Sequence, residues 1–298
     1  MPEENYPFYH KEELLSPNEI YQLAKTFVQL GINKIRLTGG EPLLRKDFSI
    51  ILNQLSTLGV ELGITTNGVL LDKYFQQLQN ANIRILNISI DSLKSDSFAE
   101  ITGRNQFERV WNNILQAHEM GFHIKLNVVA IKGKIEVELS DFLKLIQDYP
   151  FDIRFIEFMP FTGNHWSNEQ VITMQELQHL VQSQVQLNPL PLKPHHTAKE
   201  FTAEGFLGTM AFISTMSNHF CSDCNRLRIT AEGKIKNCLF GKDEFDLITP
   251  LRKGESIDSL IAHAVKLKHR ELGGQLNPNF NEIDAQSIVN RSMIGIGG

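Results

Sequence analysis

Three cysteines are the residues of this sequence best suited to bind a metal. Two residues separate Cys221 from Cys224, and 13 residues separate Cys224 from Cys238. An odd number of cysteines within one segment is atypical of a disulfide framework. Three thiolates can ligate an iron–sulfur cluster that keeps one iron open, or a zinc ion whose fourth ligand is His219 or water. The remaining alternative is that all three are buried for a structural reason.

Two arginines follow the first two cysteines directly. In the segment NRLR, a strand would place Arg226 and Arg228 on one face, because alternate side chains of a strand point the same way. Guanidinium groups bind phosphates and carboxylates through paired hydrogen bonds. The spacing therefore predicts an anion site beside the metal, although two solvated cations on a strand face would give the same pattern.

Further cations lie within apolar strand-like segments. Lys34 and Arg36 alternate with apolar residues in one segment, and Lys125 does so in a later one. If these faces point into the interior of a barrel, the cations need an anion, since burial of an unpaired charge is costly. A polyphosphate would satisfy them. If the faces point into solvent, no ligand is required.

The elements that position these residues alternate along the first half of the chain. Strand-like segments are separated there by amphipathic helical segments. The predicted strands cover residues 33–38, 60–65, 85–90, 122–131 and 152–158. This order predicts a parallel α/β sheet, either doubly wound or closed as a full or partial barrel. The strands end in TGGEP, TTNG, SIDS and EFMP, at the edge where such folds bind ligands.

The second half of the chain follows another pattern. A Pro- and His-rich segment, NPLPLKPHH, precedes three β-like segments at residues 209–215, 227–230 and 234–239. The pair Glu232-Gly233 is typical of a hairpin turn between the last two segments. We therefore expect a separate C-terminal region.

Composition and net charge favour a globular protein over a nucleic-acid-binding or membrane protein. The chain has 298 residues, of which 42% are hydrophobic, and a formal net charge of −5. These values are typical of a globular protein and provide no diffuse positive field for a nucleic-acid partner. No apolar run approaches the roughly 18 to 20 residues that span a bilayer, and the polar start is unlike an export signal. We expect a cytoplasmic location and no membrane partner.

Several motifs occur in an order that resembles one known family. The sequence contains LTGGEPLLR, TTNGVLL, NISIDSL, RFIEFMP, FCSDCNRLR, NCLF and a final IGG. In this order, and over nearly the whole chain, they resemble the radical S-adenosylmethionine (SAM) GTP 3',8-cyclases of molybdenum cofactor biosynthesis. The GGEP motif alone is shared among radical SAM enzymes. The Cys-x2-Cys-x-Arg-x-Arg segment, joined to FIEFMP and a Gly-Gly end, is far more specific.

The resemblance implies a fold and a division into domains. Residues 1–160 would form an incomplete TIM-like (βα) barrel of α/β class that lacks its first strand. Residues 161–298 would form a C-terminal iron–sulfur domain, which carries a second 4Fe-4S cluster and the GTP site. The ligands of that cluster would be Cys221, Cys224 and Cys238.

The resemblance also implies the residues of the site. Contacts to SAM are expected from three residues, which are Gly40, Ser89 and Met159. Contacts to GTP are expected from Arg36, Thr65, Lys125, Arg226 and Arg228, with Lys34 and Arg154 as further candidates. The residues expected to assist catalysis are Arg226, Arg228, Gly297 and Gly298.

In the family a first cluster reduces SAM, and the resulting 5'-deoxyadenosyl radical removes hydrogen from C3' of GTP. The ribose radical then attacks C8 of the purine, and the product is 3',8-cyclo-7,8-dihydroguanosine 5'-triphosphate. A homodimer and a downstream partner, cyclic pyranopterin monophosphate synthase, are also implied by the resemblance.

Two other classes of protein remain open on the sequence. A different radical SAM enzyme could use the C-terminal cluster on a peptide, although Lys125, Arg226 and Arg228 favour a triphosphate. A non-catalytic zinc or iron–sulfur module would also contain such a cysteine segment.

One departure from the family concerns the first cluster. The family holds that cluster with Cys-x3-Cys-x2-Cys, followed directly by Met-Pro, whereas this sequence begins Met1-Pro2 and has no cysteine before Cys221. We interpret Met1 as an internal start, with the first strand, the first cluster ligands and an arginine of the substrate site upstream. The 298-residue chain alone is then expected to be inactive, and the strand at 33–38 to be an exposed, aggregation-prone edge.

Overall fold

The computed structural model describes residues 9–10, 12–192 and 195–296. Its centre is an eight-stranded sheet with the strand order β1-β2-β3-β4-β5-β8-β7-β6. A separate three-stranded sheet has the order β11-β10-β9. The strands are β1 Lys34–Leu37, β2 Glu61–Thr66, β3 Ile85–Ser89, β4 His123–Ala130, β5 Asp152–Glu157, β6 Asn188–Pro189, β7 Lys199–Thr202, β8 Thr209–Ile213, β9 Arg228–Ile229, β10 Lys234–Lys236 and β11 Phe245–Asp246.

Six strands of the large sheet are parallel. Strands β1 to β5 pair in chain order, and β8 continues the sheet beside β5 in the same direction. Strands β7 and β6 then extend the sheet in antiparallel fashion. Within the described residues β1 and β6 do not pair with each other. The expected α/β fold with an incomplete TIM-like barrel is therefore confirmed, and β1 lies at a sheet edge as expected.

Helices connect the strands and cover the sheet. They are α1 Pro17–Gln29, α2 Phe48–Ser56, α3 Phe75–Asn80, α4 Ser95–Thr102, α5 Phe107–Glu119, α6 Ile135–Asp148, α7 Met174–Gln182, α8 Ile248–Arg252, α9 Asp258–Lys266 and α10 Met293–Ile296. Helix α1 begins with a capping box, because Ser16 accepts the backbone N–H of Glu19 at 3.3 Å and the Glu19 carboxylate accepts that of Ser16 at 2.8 Å. No helix within the described part of the chain combines the length and apolar composition that a membrane crossing requires.

Three apolar clusters hold these elements together. The largest lies between the parallel sheet and its helices, and includes the fully buried Ile64, Leu86 and Phe142. A second cluster lies beyond the end of β5, where Cys221 and Cys238 pack against it. A third cluster joins α1 to the C-terminal hairpin and to α9. Because α1 belongs to the first half of the chain, the two halves share a core.

The sheet continues past residue 160. Strand β8 was expected in a separate C-terminal region, but it pairs with β5. Gly208 permits this approach, since a Cβ at that position would lie 2.1 Å from the carbonyl oxygen of Phe151. The hairpin between β9 and β10 is confirmed, and its turn residue Gly233 has a φ of +86°. The division into domains at residue 160 stays a prediction.

Glu157 ties the end of β5 to two other segments. Its carboxylate accepts the backbone N–H groups of Met174 at 2.9 Å, Met216 at 2.7 Å and Ser217 at 3.0 Å, and also the Ser217 hydroxyl. The side chain is buried, with 4% exposure. Glu157 therefore fixes the start of α7 and the segment that leads to the cysteines.

We expect the substitution Glu157→Gln to lower the free energy of unfolding by about 1–3 kcal/mol, because an amide nitrogen would then face buried N–H donors. Urea denaturation at neutral pH measures the change. Glu169→Gln is the matched control, since Glu169 is exposed. Equal unfolding midpoints for the two variants would contradict the assigned role.

Candidate active site

The inner face of the parallel sheet carries the predicted cations. In a parallel sheet, directly paired residues point to the same face. Asn87 pairs with Lys125, and Lys125 pairs with Asp152 two residues before Arg154. Arg36 extends the same face at the edge strand, where it lies over Gly63. The structure therefore places Arg36, Lys125 and Arg154 on a common face of the sheet, and their contact with a ligand stays a prediction.

Repulsion by Arg226 links a group of four arginines. Loss of hydration lowers the pKa of Arg36, Arg154, Arg226 and Arg228, although Arg36 and Arg226 lie at exposed positions, where the effect is weaker. The charge of Arg226 further lowers the pKa of Arg36 and of Arg228. Arg154 combines burial with repulsion by Arg36, and its pKa falls to about 10. Such mutual destabilisation of cations is the electrostatic signature of an anion-binding site.

Lys125 has an acidic partner that the sequence did not reveal. Its ammonium group lies 2.6 Å from the Asp152 carboxylate, which also contacts His123 at 2.7 Å and Thr209 at 2.7 Å. Burial alone would raise the pKa of Asp152, but the hydrogen bonds from His123 and Lys125 bring it well below its usual value. Asp152 is therefore a carboxylate that neutralises Lys125 in the ligand-free chain. The alternation Asp-x-Arg in β5 was the only signal for it.

Arg154 is held by a buried amide. Its guanidinium donates a hydrogen bond to Oδ1 of Asn87, whose Nδ2 donates to the carbonyl of Ile64 at 2.9 Å. The Nε of Arg154 is buried and has no hydrogen-bond partner in the described part of the chain. The Oδ1 of Asn127, which pairs with Arg154 across the two strands, is likewise buried and unpartnered. Orphaned polar atoms at paired positions indicate a place for a ligand or an ordered water.

The candidate residues for SAM lie at the carboxyl edge of the same sheet. Ser89 is the last residue of β3, Met159 follows β5 by two residues, and Gly40 follows β1 by three. A Cβ at Gly40 would lie 3.3 Å from Cγ2 of Ile294, so the C-terminal segment rests on this turn. The structure brings the three positions to one edge of the barrel, as expected from the alternation of strands and helices.

Glu41, in the same GGEP turn, links the ends of β1 and β2. Its carboxylate accepts the Thr66 hydroxyl at 2.8 Å and the backbone N–H groups of Asn67 at 2.7 Å and Leu43 at 3.0 Å. Burial raises the pKa of Glu41, although these hydrogen bonds oppose the rise. The sequence marked the motif as a ligand-binding turn and did not indicate this tether.

The three cysteines are neighbours, and all are free thiols. Burial raises the pKa of Cys221, and the nearby Cys238 and Cys224 raise it further. The backbone N–H of Leu272 donates to Sγ of Cys221 at 3.3 Å, and Nζ of Lys268 lies 3.5 Å from Sγ of Cys224. Thiols in mutual electrostatic range, with N–H donors at two of them, fit an iron–sulfur cluster.

Within the described residues, no three His, Cys, Asp or Glu side chains converge on one metal position. The suggested fourth zinc ligand, His219, lies 3.3 Å from the Glu271 carboxylate. The assignment of iron rather than zinc to these thiols stays a prediction.

Four other predicted residues are less informative. Lys34 pairs with Glu61 at 2.6 Å and remains 45% exposed, so its charge is already neutralised at the sheet edge. Thr65 pairs with Asn87 and therefore faces the site. Gly297 and Gly298 lie outside the described residues, although Ile296, the last one described, is buried in the second apolar cluster.

Two family models match the chain in succession. The model of the radical SAM superfamily matches residues 3–146, and that named Molybdenum Cofactor Synthesis C matches residues 151–273. The chain is thus a radical SAM protein with the C-terminal part found in molybdenum cofactor synthesis. Membership in this superfamily implies a 4Fe-4S cluster and SAM as cofactors.

Curated relatives define the family more closely. The chain is 42% identical to GTP 3',8-cyclase, mitochondrial, of Arabidopsis thaliana, over 100% of this chain and 76% of the relative. It is 38% identical to GTP 3',8-cyclase of Desulforamulus reducens, over 92% and 88%, respectively. It is 45% identical to Molybdenum cofactor biosynthesis protein 1 of Bos taurus, but spans only 45% of that protein. The chain belongs to the GTP 3',8-cyclase family.

We expect Arg36→Gln to stabilise the ligand-free chain, because it removes one of several mutually repelling cations. Since Arg36 is partly solvated, the gain is at most about 1 kcal/mol, or roughly 2–4 °C in the thermal unfolding midpoint. Differential scanning fluorimetry measures it. Arg104→Gln, at an exposed position just after the end of α4, is the control. A midpoint for Arg36→Gln below that of the control would disprove the repulsion.

Proposed function

We propose that this chain binds GTP and SAM and takes part in the radical cyclisation of GTP to 3',8-cyclo-7,8-dihydroguanosine 5'-triphosphate, the first step of molybdenum cofactor biosynthesis. The observation that carries the proposal is a group of four arginines, linked through repulsion by Arg226, beside three neighbouring thiols. The names of the two relatives called GTP 3',8-cyclase support it. The chain spans less than half of the Bos taurus relative, so this proposal concerns the part in hand.

The inner face of the barrel would bind the triphosphate. Lys125 and Arg154 lie there on the adjacent strands β4 and β5, and Arg36 lies on the edge strand β1. Cations that are already in position neutralise phosphate charge with little rearrangement of the protein. Lys125 would exchange the Asp152 carboxylate for a phosphate oxygen, since both are anions that it can pair with. Thr65 would add a hydroxyl donor on the same face.

The cysteine segment would bind the guanosine end of the substrate. Cys221, Cys224 and Cys238 would hold the 4Fe-4S cluster, while Arg226 and Arg228 orient the nucleotide. Gly40, Ser89 and Met159 would hold SAM at the barrel edge, and the Gly297-Gly298 end would approach the same place. When bound, the cluster would supply an open iron for the base. SAM would supply the radical that acts on the ribose after one-electron reduction by a first cluster, for which this sequence has no cysteines.

The protein's own contribution is positioning and exclusion of water. The second apolar cluster, which includes Phe158, Trp166 and Ile296, packs beside the barrel edge and the cysteines. This cluster would shield one side of the site from water and so protect a reactive intermediate from side reactions. The homodimer, the cyclic pyranopterin monophosphate synthase downstream and the cytoplasmic location stay predictions.

Metal analysis tests the cluster. After anaerobic reconstitution, the 298-residue chain should contain about four irons, and Cys221→Ser, Cys224→Ser and Cys238→Ser should each lower that content. Ser222→Ala, in the same loop, is the matched control. One zinc per chain, or iron retained in all three cysteine variants, would contradict these ligands.

Nucleotide binding tests the arginines. Arg226→Gln and Arg228→Gln should each weaken GTP binding about tenfold or more, since a hydrogen bond from a charged group contributes roughly 1.5–3 kcal/mol. Equilibrium dialysis of GTP against the reconstituted chain under anaerobic conditions measures the affinity, again with Arg104→Gln as the control. If both variants bind GTP as tightly as the unmodified chain, the proposed substrate site is wrong.

A further inference from the structure

The segment that follows α9 runs directly past the cysteine loop. The Lys268 ammonium group donates to the carbonyl of Cys224 at 2.8 Å and to that of Arg226 at 3.0 Å, and lies 3.5 Å from Sγ of Cys224. Four residues later, the Leu272 N–H contacts Sγ of Cys221 at 3.3 Å. One short segment thus supplies donors to two of the three thiols.

Lys268 has an unusual set of partners for a surface cation. An ammonium group has three donors, and here two contact carbonyl oxygens and the third a sulfur atom. Within residues 9–10, 12–192 and 195–296, no carboxylate forms an ion pair with Lys268. Its positive charge is therefore available to the thiolate that Cys224 becomes when it ligates iron.

The position of Lys268 is fixed relative to the other arm of the cysteine site. Its backbone N–H donates to the carbonyl of Val265 at 3.1 Å, which continues the end of α9. Nearby, Asn237 donates through Nδ2 to the carbonyl of Ala264 at 2.7 Å, and both residues are fully buried. Because Asn237 precedes Cys238, the C-terminal end of α9 contacts both arms of the site.

Such a cation has a definite electrostatic effect on a cluster. Reduction adds negative charge to the iron and sulfur atoms, and hydrogen-bond donors and cations beside the ligand sulfurs stabilise that charge. The reduction potential is therefore higher with the cation than without it. The carbonyl contacts act in addition, since they fix the backbone between Cys224 and Arg226.

We propose that Lys268 is a positioning residue that raises the reduction potential of the cluster and holds the Cys224–Arg226 loop in place. The inference rests on the proposed function, because it requires the cluster at Cys221, Cys224 and Cys238. It assigns to Lys268 a role that differs from iron ligation and from nucleotide binding.

The test is a potentiometric titration of the reconstituted chain, followed by electron paramagnetic resonance. Lys268→Met, which keeps the length of the side chain and removes its charge, should shift the midpoint potential to a lower value. Lys268→Arg retains the charge and should restore the midpoint to near that of the unmodified chain. Lys266→Met is the matched control, since Lys266 lies in α9 and is exposed, and its midpoint should not change.

Iron content separates failure of this inference from failure of the proposed function. An unmodified chain that takes up no cluster would overturn both. A full iron content with equal midpoints for Lys268→Met and Lys266→Met would overturn the role of Lys268 alone. If Lys268→Met loses iron, Lys268→Gln, which keeps a donor without the charge, takes its place. Loss of iron in that variant too would assign Lys268 a purely structural role.

Discussion

An excess of positive charge along one face of the barrel sheet is the constraint on which the rest of the structure depends. In addition to the effect of burial, repulsion by Arg226 lowers the pKa of Arg36, and repulsion by Arg36 and Arg226 lowers that of Arg154. This repulsion destabilises the chain when no anion is bound, and a bound anion would offset it. The large apolar core beneath the sheet allows the fold to tolerate that cost, because it packs the strands against the helices on the opposite face.

The buried carboxylates near this face have separate roles. Asp152 forms an ion pair with Lys125, whereas Glu41 and Glu157 accept backbone N–H groups at the strand ends. Asp152 and Glu200 offset part of the repulsion at Arg154, and Glu61, which pairs with Lys34, does so at Arg36. The arrangement separates structural acids from binding cations, so that the inner face stays positive although the whole chain is negative.

Local sequence patterns predicted the helices and strands, but they did not predict contacts between residues that are distant in the sequence. The alternation of strands and helices, the β9–β10 hairpin and the cysteine segment each depend on neighbours in the chain, and periodicity or spacing reveals them. The pairing of β8 with β5 depends on contacts between distant residues. So do the bonds from Asn87 to Arg154 and from Lys125 to Asp152. The alternation of side chains within β5 predicted which face of the strand carries Arg154. Only the register between strands identified Asn87 and Asn127 as its neighbours on that face.

The contact between Ile294 and Gly40 places two steric requirements on the GGEP turn. Gly40, the second glycine of GGEP, is a residue that we propose to contact SAM. It must also accommodate the branched side chain of Ile294 from the C-terminal segment. A side chain added at Gly40 would crowd both Ile294 and the proposed SAM position. The beginning of the barrel and the tail of the chain therefore meet at a shared steric boundary, so that neither can change its local shape independently of the other.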